Sequence, residues 1–323
     1  MILRIAIIII LFCQFLVLPV SAQAIDNFSS ARNINNDNYF RLHYENDYFT
    51  ATDLYYTQGI QFEFVHPALN KFPLMHLLIQ GQSTSLKNGI ALEINGYTPS
   101  SIRSNEILYN DHPYAGVLFI KTFKITVDSV NQTRISSGLV TGVIGPSAGG
   151  DEIQTSIHRW TGNFLPLGWQ HQIKNDLVLN YEFVFEKELL SIERYFLVNG
   201  MGSAKVGTLG DKIGAGVILM AGYFNSPFVI SGTKIKKISA HIYSQPSINL
   251  VGYDATLQGG VFNNNSPYTI SANEIERITF QNHAGIVVNI NKLYLEYFQS
   301  YTSKEFKQGI SHLSGGIRIG VSF

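Results

Sequence analysis

From Tyr39 to the end of the chain, apolar and polar residues alternate with a period of two, segment after segment. Phe40, Leu42 and Tyr44 share one side of an extended segment, while Arg41, His43 and Glu45 share the other. Ile60, Phe62 and Phe64 alternate with Gln61 and Glu63, and Leu179, Tyr181, Phe183 and Phe185 with Asn180, Glu182 and Glu186. The last segment is the cleanest: Leu313, Gly315, Ile317, Ile319, Val321 and Phe323 oppose His312, Ser314, Gly316, Arg318, Gly320 and Ser322. Such alternation means sheet with one apolar face.

Roughly twelve such segments can be counted: near 38–47, 56–66, 88–97, 114–127, 133–143, 176–187, 191–206, 212–223, 237–248, 251–262, 277–290 and 292–301, with 310–323 as a further candidate. No strand–helix alternation and no second domain boundary interrupts them. A soluble sandwich would also alternate, but composition weighs against it. Charged residues make up only 14 % of the chain, against about 25 % in typical soluble proteins. The segments are long, tight turns (128–133, 209–211, 289–291) contrast with long polar loops (145–175, 225–237, 262–276), and the final strand ends on Phe323. The reading is an all-β protein, a transmembrane antiparallel β-barrel of about twelve strands. Closure satisfies every backbone group and leaves no edge, as lipid requires.

The first residues read as a signal peptide, not as fold. Arg4 is the one charge before Asp26, residues 5–20 are apolar except for Gln14, and Val20-Ser21-Ala22 supplies small residues for cleavage. A membrane anchor needs about 20 apolar residues, and Cys13 sits mid-segment, where a lipoprotein cysteine would not. The organisation expected is a leader over 1–22, a lead-in over 23–37 and one barrel over 38–323. Cys13 is the single cysteine, so cleavage leaves no disulfide, thiolate metal site or cysteine nucleophile. The 23 basic residues balance the 23 acidic ones, which argues against nucleic acid as a partner. With 21 Phe and 17 Tyr, disorder is excluded as well.

One segment departs from the strand pattern. Asp151 is a candidate N-cap after Gly149-Gly150, Ile153, Ile157 and Trp160 follow at helical spacing, and Gly162 is a stop. A short amphipathic helix in a long extracellular loop is expected, with Gln154 and His158 on one side of it. An imidazole suits general-base chemistry near neutrality, although an isolated loop histidine need have no such role. Asn46, Asp47 and Thr57 gather oxygens where two strands meet, a set suited to a hard cation such as Ca²⁺; the same residues also favour a plain hairpin turn. Gly145-Pro146-Ser147-Ala148-Gly149 matches the G-x-S-x-G hydrolase pattern, but that elbow needs a parallel α/β sheet beneath it, which this sequence does not offer.

Taken together, these stretches resemble the outer-membrane lipid A 3′-O-deacylases, a family of calcium-dependent β-barrel deacylases. The carrying residues are Glu45-Asn46-Asp47, Thr52-Asp53, Tyr56-Thr57-x-Gly59, Asp111-His112-Pro113-Tyr114-Ala115-Gly116, Gly145-Pro146, Gln154-x-x-x-His158, Gly162, Pro166-x-Gly168-Trp169 and Gln172. The resemblance implies a bacterial outer-membrane hydrolase that removes an ester-linked acyl chain from lipid A of the outer leaflet, with no protein partner implied. It assigns Asp47 to Ca²⁺, His158 to activation of water, and Asn46 and Thr57 to the lining of the site. Two departures stand out. Asn163-Phe164 occupies the place where the family often has an acidic residue, leaving Asp151 or Glu152 to substitute, and His112 stands where arginine is usual. The competing readings are an outer-membrane phospholipase with a serine nucleophile and a catalytically silent pore or scaffold.

Overall fold

Long alternating segments can pair only with one another, and they do so in a ring. The structure, a computed structural model, describes residues 26–46, 55–228 and 237–323. The expected leader over 1–22 lies outside them. The strands are β1 (Tyr39–Asn46), β2 (Tyr55–Val65), β3 (Ser85–Thr98), β4 (Ala115–Asp128), β5 (Thr133–Ile144), β6 (Asp176–Ile192), β7 (Phe196–Gly207), β8 (Gly210–Tyr223), β9 (Ile238–Asp254), β10 (Ile278–Ile290), β11 (Leu293–Thr302) and β12 (His312–Ser322). Each pairs antiparallel with its sequence neighbours, and β1 pairs with β12 from Tyr39↔Ser322 to Asn46↔Gly315, which closes the barrel.

The alternation divides inside from outside as expected. Arg41, His43 and Glu45 are buried in the lumen, whereas Phe62, Leu92, Ile120, Leu179 and Ile317 lie exposed on the outer wall. No described helix is long and apolar enough to cross a membrane. The lumen pairs its charges: Arg41 with Glu63 at 3.0 Å, Lys121 with Glu182 at 2.9 Å, and Arg318 with Glu296. A buried charge without such a partner would be strongly destabilising.

Three details differ from the sequence reading. Residues 237–248 and 251–262 are not two strands. β9 runs unbroken to Asp254, whose carboxylate accepts from the Thr256 N–H at 2.9 Å and starts a single helical turn over Ala255–Gln258. The twelfth strand is instead the C-terminal one. Residues 191–206 do not form one strand either, because Glu193 takes φ 48° and turns the chain between β6 and β7. Outer-membrane barrels put short turns on one rim and long loops on the other, the expectation for these turns and loops, but here loop lengths do not sort cleanly by rim. The two-residue turn at 208–209 lies on the same rim as the long 145–175 loop, while β8 ends and β9 begins at the rim of the tight turns 129–132 and 291–292, where β1 starts and β12 ends.

Candidate functional site at the rim opposite the chain ends

The site is assembled where β1, β2 and β3 reach the rim away from the chain ends. Between β2 and β3 the register slips: Tyr56 pairs with Tyr97 and Gln58 with Gly96, leaving Thr57 as an extra residue. Such a bulge turns a side chain away from simple alternation, and Thr57 is buried between two other buried residues, Tyr56 and Gln58. Its hydroxyl lies 2.9 Å from that of Thr98 at the end of β3. The Asn46 amide donates to the Thr57 carbonyl at 2.6 Å, tying the end of β1 to the bulge.

The expected helix forms as α1 (Gly150–Thr161), with Gln154 and His158 on one side of it. Gly149, with φ 72°, is its N-cap; Asp151 sits in the first turn, where it accepts from the Thr155 hydroxyl at 3.0 Å. Gly162, with φ 71°, ends it as read from the sequence and donates to the His158 carbonyl. The buried row is Gly150, Gln154 and His158, while Trp160 on the apolar stripe is 88 % exposed. The polar row therefore faces the barrel. Packing explains this: a Cβ on Gly150 would come within 2.8 Å of the Trp169 ring and 3.1 Å of the Gly116 Cα, so the helix start is pressed against β4 at two glycines. Tyr114 packs on Trp169 with ring centroids 5.1 Å apart. The indole N–H of Trp169 donates to Gln154 at 2.6 Å, and the Gln154 amide reaches the Thr57 hydroxyl at 3.4 Å. Trp169, Gln154, Thr57 and Thr98 thus form one hydrogen-bonded chain from loop to helix to wall.

His158 lies one turn beyond Gln154 on the same buried face. Its Nδ1 is bonded to the backbone carbonyl of Phe164. A carbonyl can only accept, so Nδ1 carries the proton and Nε2 of the neutral ring holds the lone pair a base needs. Neither proposed acidic substitute fills this place, since Asp151 bonds Thr155 and Glu152 is exposed. The Arg103 guanidinium lies 3.6 Å from the centroid of the Phe164 ring and holds that residue from the other side. His112 has no arginine-like reach. It is buried against Tyr97 in a stacked contact at 5.5 Å, burial lowers its pKa from the ordinary histidine range, and its ring bonds the Pro113 carbonyl.

Asn46 and Thr57 are therefore together, and Gln154 connects them to the helix of His158. Asp47 lies outside the described residues. Among the described residues no group of three or more His, Cys, Asp or Glu could hold a metal. The described polar groups there, the Asn46 side-chain oxygen and the Thr57 and Thr98 hydroxyls, are hard oxygen donors, the type Ca²⁺ takes. Ser147 is exposed, and its backbone N–H donates to Asn175 at 2.8 Å. Thr98, the Phe164 carbonyl and the Arg103 clamp were not legible as site residues. Only the proximity of Thr98 to the hairpin could have signalled the first of them.

A closed, lipid-faced antiparallel barrel with a polar site on one rim defines an outer-membrane β-barrel protein. Among solved structures, LpxR from Salmonella typhimurium superposes with a TM-score of 0.73 at 19 % identity, over 88 % of this chain and 100 % of that one. The beta domain of the Bordetella autotransporter BrkA is more distant, with a TM-score of 0.44 at 8 % identity over 89 % of this chain and 99 % of that one. No curated protein sequence matches. The model of the outer membrane protein LpxR family matches residues 8–323, and the chain belongs to that family.

Proposed function

We propose that this barrel is a lipid A 3′-O-deacylase, a hydrolase that cleaves an ester-linked acyl chain from lipopolysaccharide of the outer leaflet. The observation that carries the reading is the orientation of His158: Nδ1 is committed to the Phe164 carbonyl on a helix whose neighbouring side chain, Gln154, is fixed to Thr57. That leaves Nε2 as the proton acceptor at a rim where a membrane lipid presents its headgroup.

In this reading Nε2 of His158 takes a proton from water as the water oxygen adds to the ester carbonyl carbon. Collapse of the tetrahedral species breaks the bond to the sugar oxygen, which recovers the proton from His158. The products are a free fatty acid and a sugar hydroxyl. Asp47 would hold Ca²⁺ and supply the charge, with Asn46 lining the site beside it. When bound, the ion supplies Lewis-acid polarisation of the carbonyl and charge for the developing oxyanion. Thr57, held by Thr98 and Gln154, lines the site from the barrel wall.

The test is mass spectrometry of lipid A from cells expressing the chain, with and without Ca²⁺, beside His158→Ala. Loss of one acyl chain only with the intact protein and the ion is the expected result. An unchanged acyl count with the barrel inserted would sink the enzyme reading and leave the silent barrel. Collapse of activity in Ser147→Ala would instead favour the serine phospholipase. Because the Ser147 side chain lies exposed and its backbone serves a turn, that variant is expected to keep its activity.

A further inference from the structure

The lead-in before β1 does not trail into solvent. Residues 27–32 are buried inside the barrel, in the half nearer the chain ends. Asn27 bonds Gln61 and Glu63 of β2. The Ser30 N–H donates to Glu186 of β6 at 3.0 Å, and its hydroxyl accepts from Asn199 of β7 at 2.9 Å. Arg32, fully buried, donates to Glu296 of β11 at 3.2 Å and to the Tyr243 hydroxyl of β9 at 3.0 Å. Its backbone carbonyl accepts from Arg41 of β1 at 2.9 Å, and Asn33 accepts from Lys87 of β3 and Arg134 of β5. Phe28 meets Phe123 of β4 edge-on at 5.9 Å. One short segment is thus bonded to walls on every side of the lumen.

Barrel width explains why something is needed there. Eight strands make a lumen that side chains can fill, while sixteen or more leave an aqueous channel. Twelve strands fall between, and here the walls carry Glu63, Glu186, Glu296, Arg41 and Arg134, groups that would stay hydrated if the centre were empty. Beyond the segment, toward the site rim, a cavity of about 160 Å³ remains, with Asp26, Asn27 and Phe28 forming one wall. A second cavity of about 60 Å³ shares Lys121, Glu182, Lys205 and Lys212 with it and reaches Tyr97 and Asp254 at the site rim.

We propose that residues 26–37 are a resident plug that seals the lumen against ions and water, making the barrel a closed membrane protein whose pore is blocked by its own N-terminal segment. The proposal concerns permeation only and stands apart from the hydrolase reading. The experiment is conductance in planar bilayers bathed in potassium chloride, using barrels whose folding is verified by heat-modifiable migration on gels. The unaltered chain is expected to be silent and a chain lacking residues 26–37 to conduct steadily. An Asn27→Ala/Arg32→Ala variant, which keeps the segment but removes its side-chain ties, is expected to flicker open. With Cys13 replaced by Ser, a Ser30→Cys/Asn199→Cys pair is expected to form a disulfide in the inserted barrel and stay silent. Steady conductance of the unaltered chain would overturn the proposal, as would silence of the folded deletion and double-alanine variants or failure of the cysteine pair to join.

Discussion

His158 and Phe164 are joined by a hydrogen bond from an imidazole Nδ1–H to a main-chain carbonyl six residues on. A carboxylate in that place would add charge and raise the basicity of the ring; a carbonyl fixes the tautomer and the ring plane without adding a full charge. His158→Ala is therefore expected to lower turnover by about 10²–10⁴-fold, the usual contribution of a positioned base, with the barrel still heat-modifiable. Acyl release from purified lipid A in detergent measures it, and a variant as active as the parent would remove His158 from the chemistry.

Arg103 acts through Phe164. Its guanidinium over the ring contributes on the order of 1 kcal/mol where exposed, and the contact holds the residue whose carbonyl fixes the His158 ring. Arg103→Ala should lower kcat severalfold with little change in KM, and Arg103→Lys should restore part of the loss. A change confined to KM would show that Arg103 meets the lipid and does not support the histidine.

In the proposed function Asp47 is the carboxylate that holds the ion, and on that reading removal of charge there should weaken the metal before it weakens the fold. Asp47→Asn is expected to raise the Ca²⁺ concentration needed for half-maximal activity by at least tenfold. A chelator should silence the parent, with recovery on adding Ca²⁺ back. Activity indifferent to the chelator would exclude this role.

Glu305, in the loop between β11 and β12, is buried, and burial together with the nearby Asp254 carboxylate pushes its pKa up to about 8, against the pull of Lys212. Its unfolded value is near 4.5. Between these values the folded protein keeps a proton that the unfolded chain has lost, so stability falls as pH rises through this window. The unfolding temperature read by gel shift should drop from pH 5 to pH 9, and Glu305→Gln should flatten that slope. An equally steep slope in the variant would place the titration elsewhere.

Much of the fold was legible because lipid imposes a two-residue rule on every strand, and Phe62, Leu179 and Ile317 obey it. The rule fails where strands leave the bilayer. There it offered no reason to carry β9 on to Asp254 or to end β6 before Glu193. The site was partly legible: Asn46, Thr57, Gln154 and His158 stand in motifs, and three of them are joined by hydrogen bonds. The helix was placed correctly, with Gln154 and His158 on one side of it; alternation and spacing did not say which side turns inward, because Gly116, Gly150 and Trp169 set the rotation. The Phe164 contact could not be read at all, since a backbone carbonyl has no residue identity. The lead-in was read only as a stretch before the barrel, because its short polar residues carry no alternation that would place them in the lumen.

The bulge at Thr57 restricts how this hairpin can drift through mutation. Between Tyr56 and Gln58 the count is fixed: losing one residue would restore regular pairing and erase the displaced position that presents the hydroxyl to Thr98 and Gln154. A single-codon deletion there would leave a barrel that inserts normally yet lacks one wall of its site, a lesion of spacing and not of chemistry.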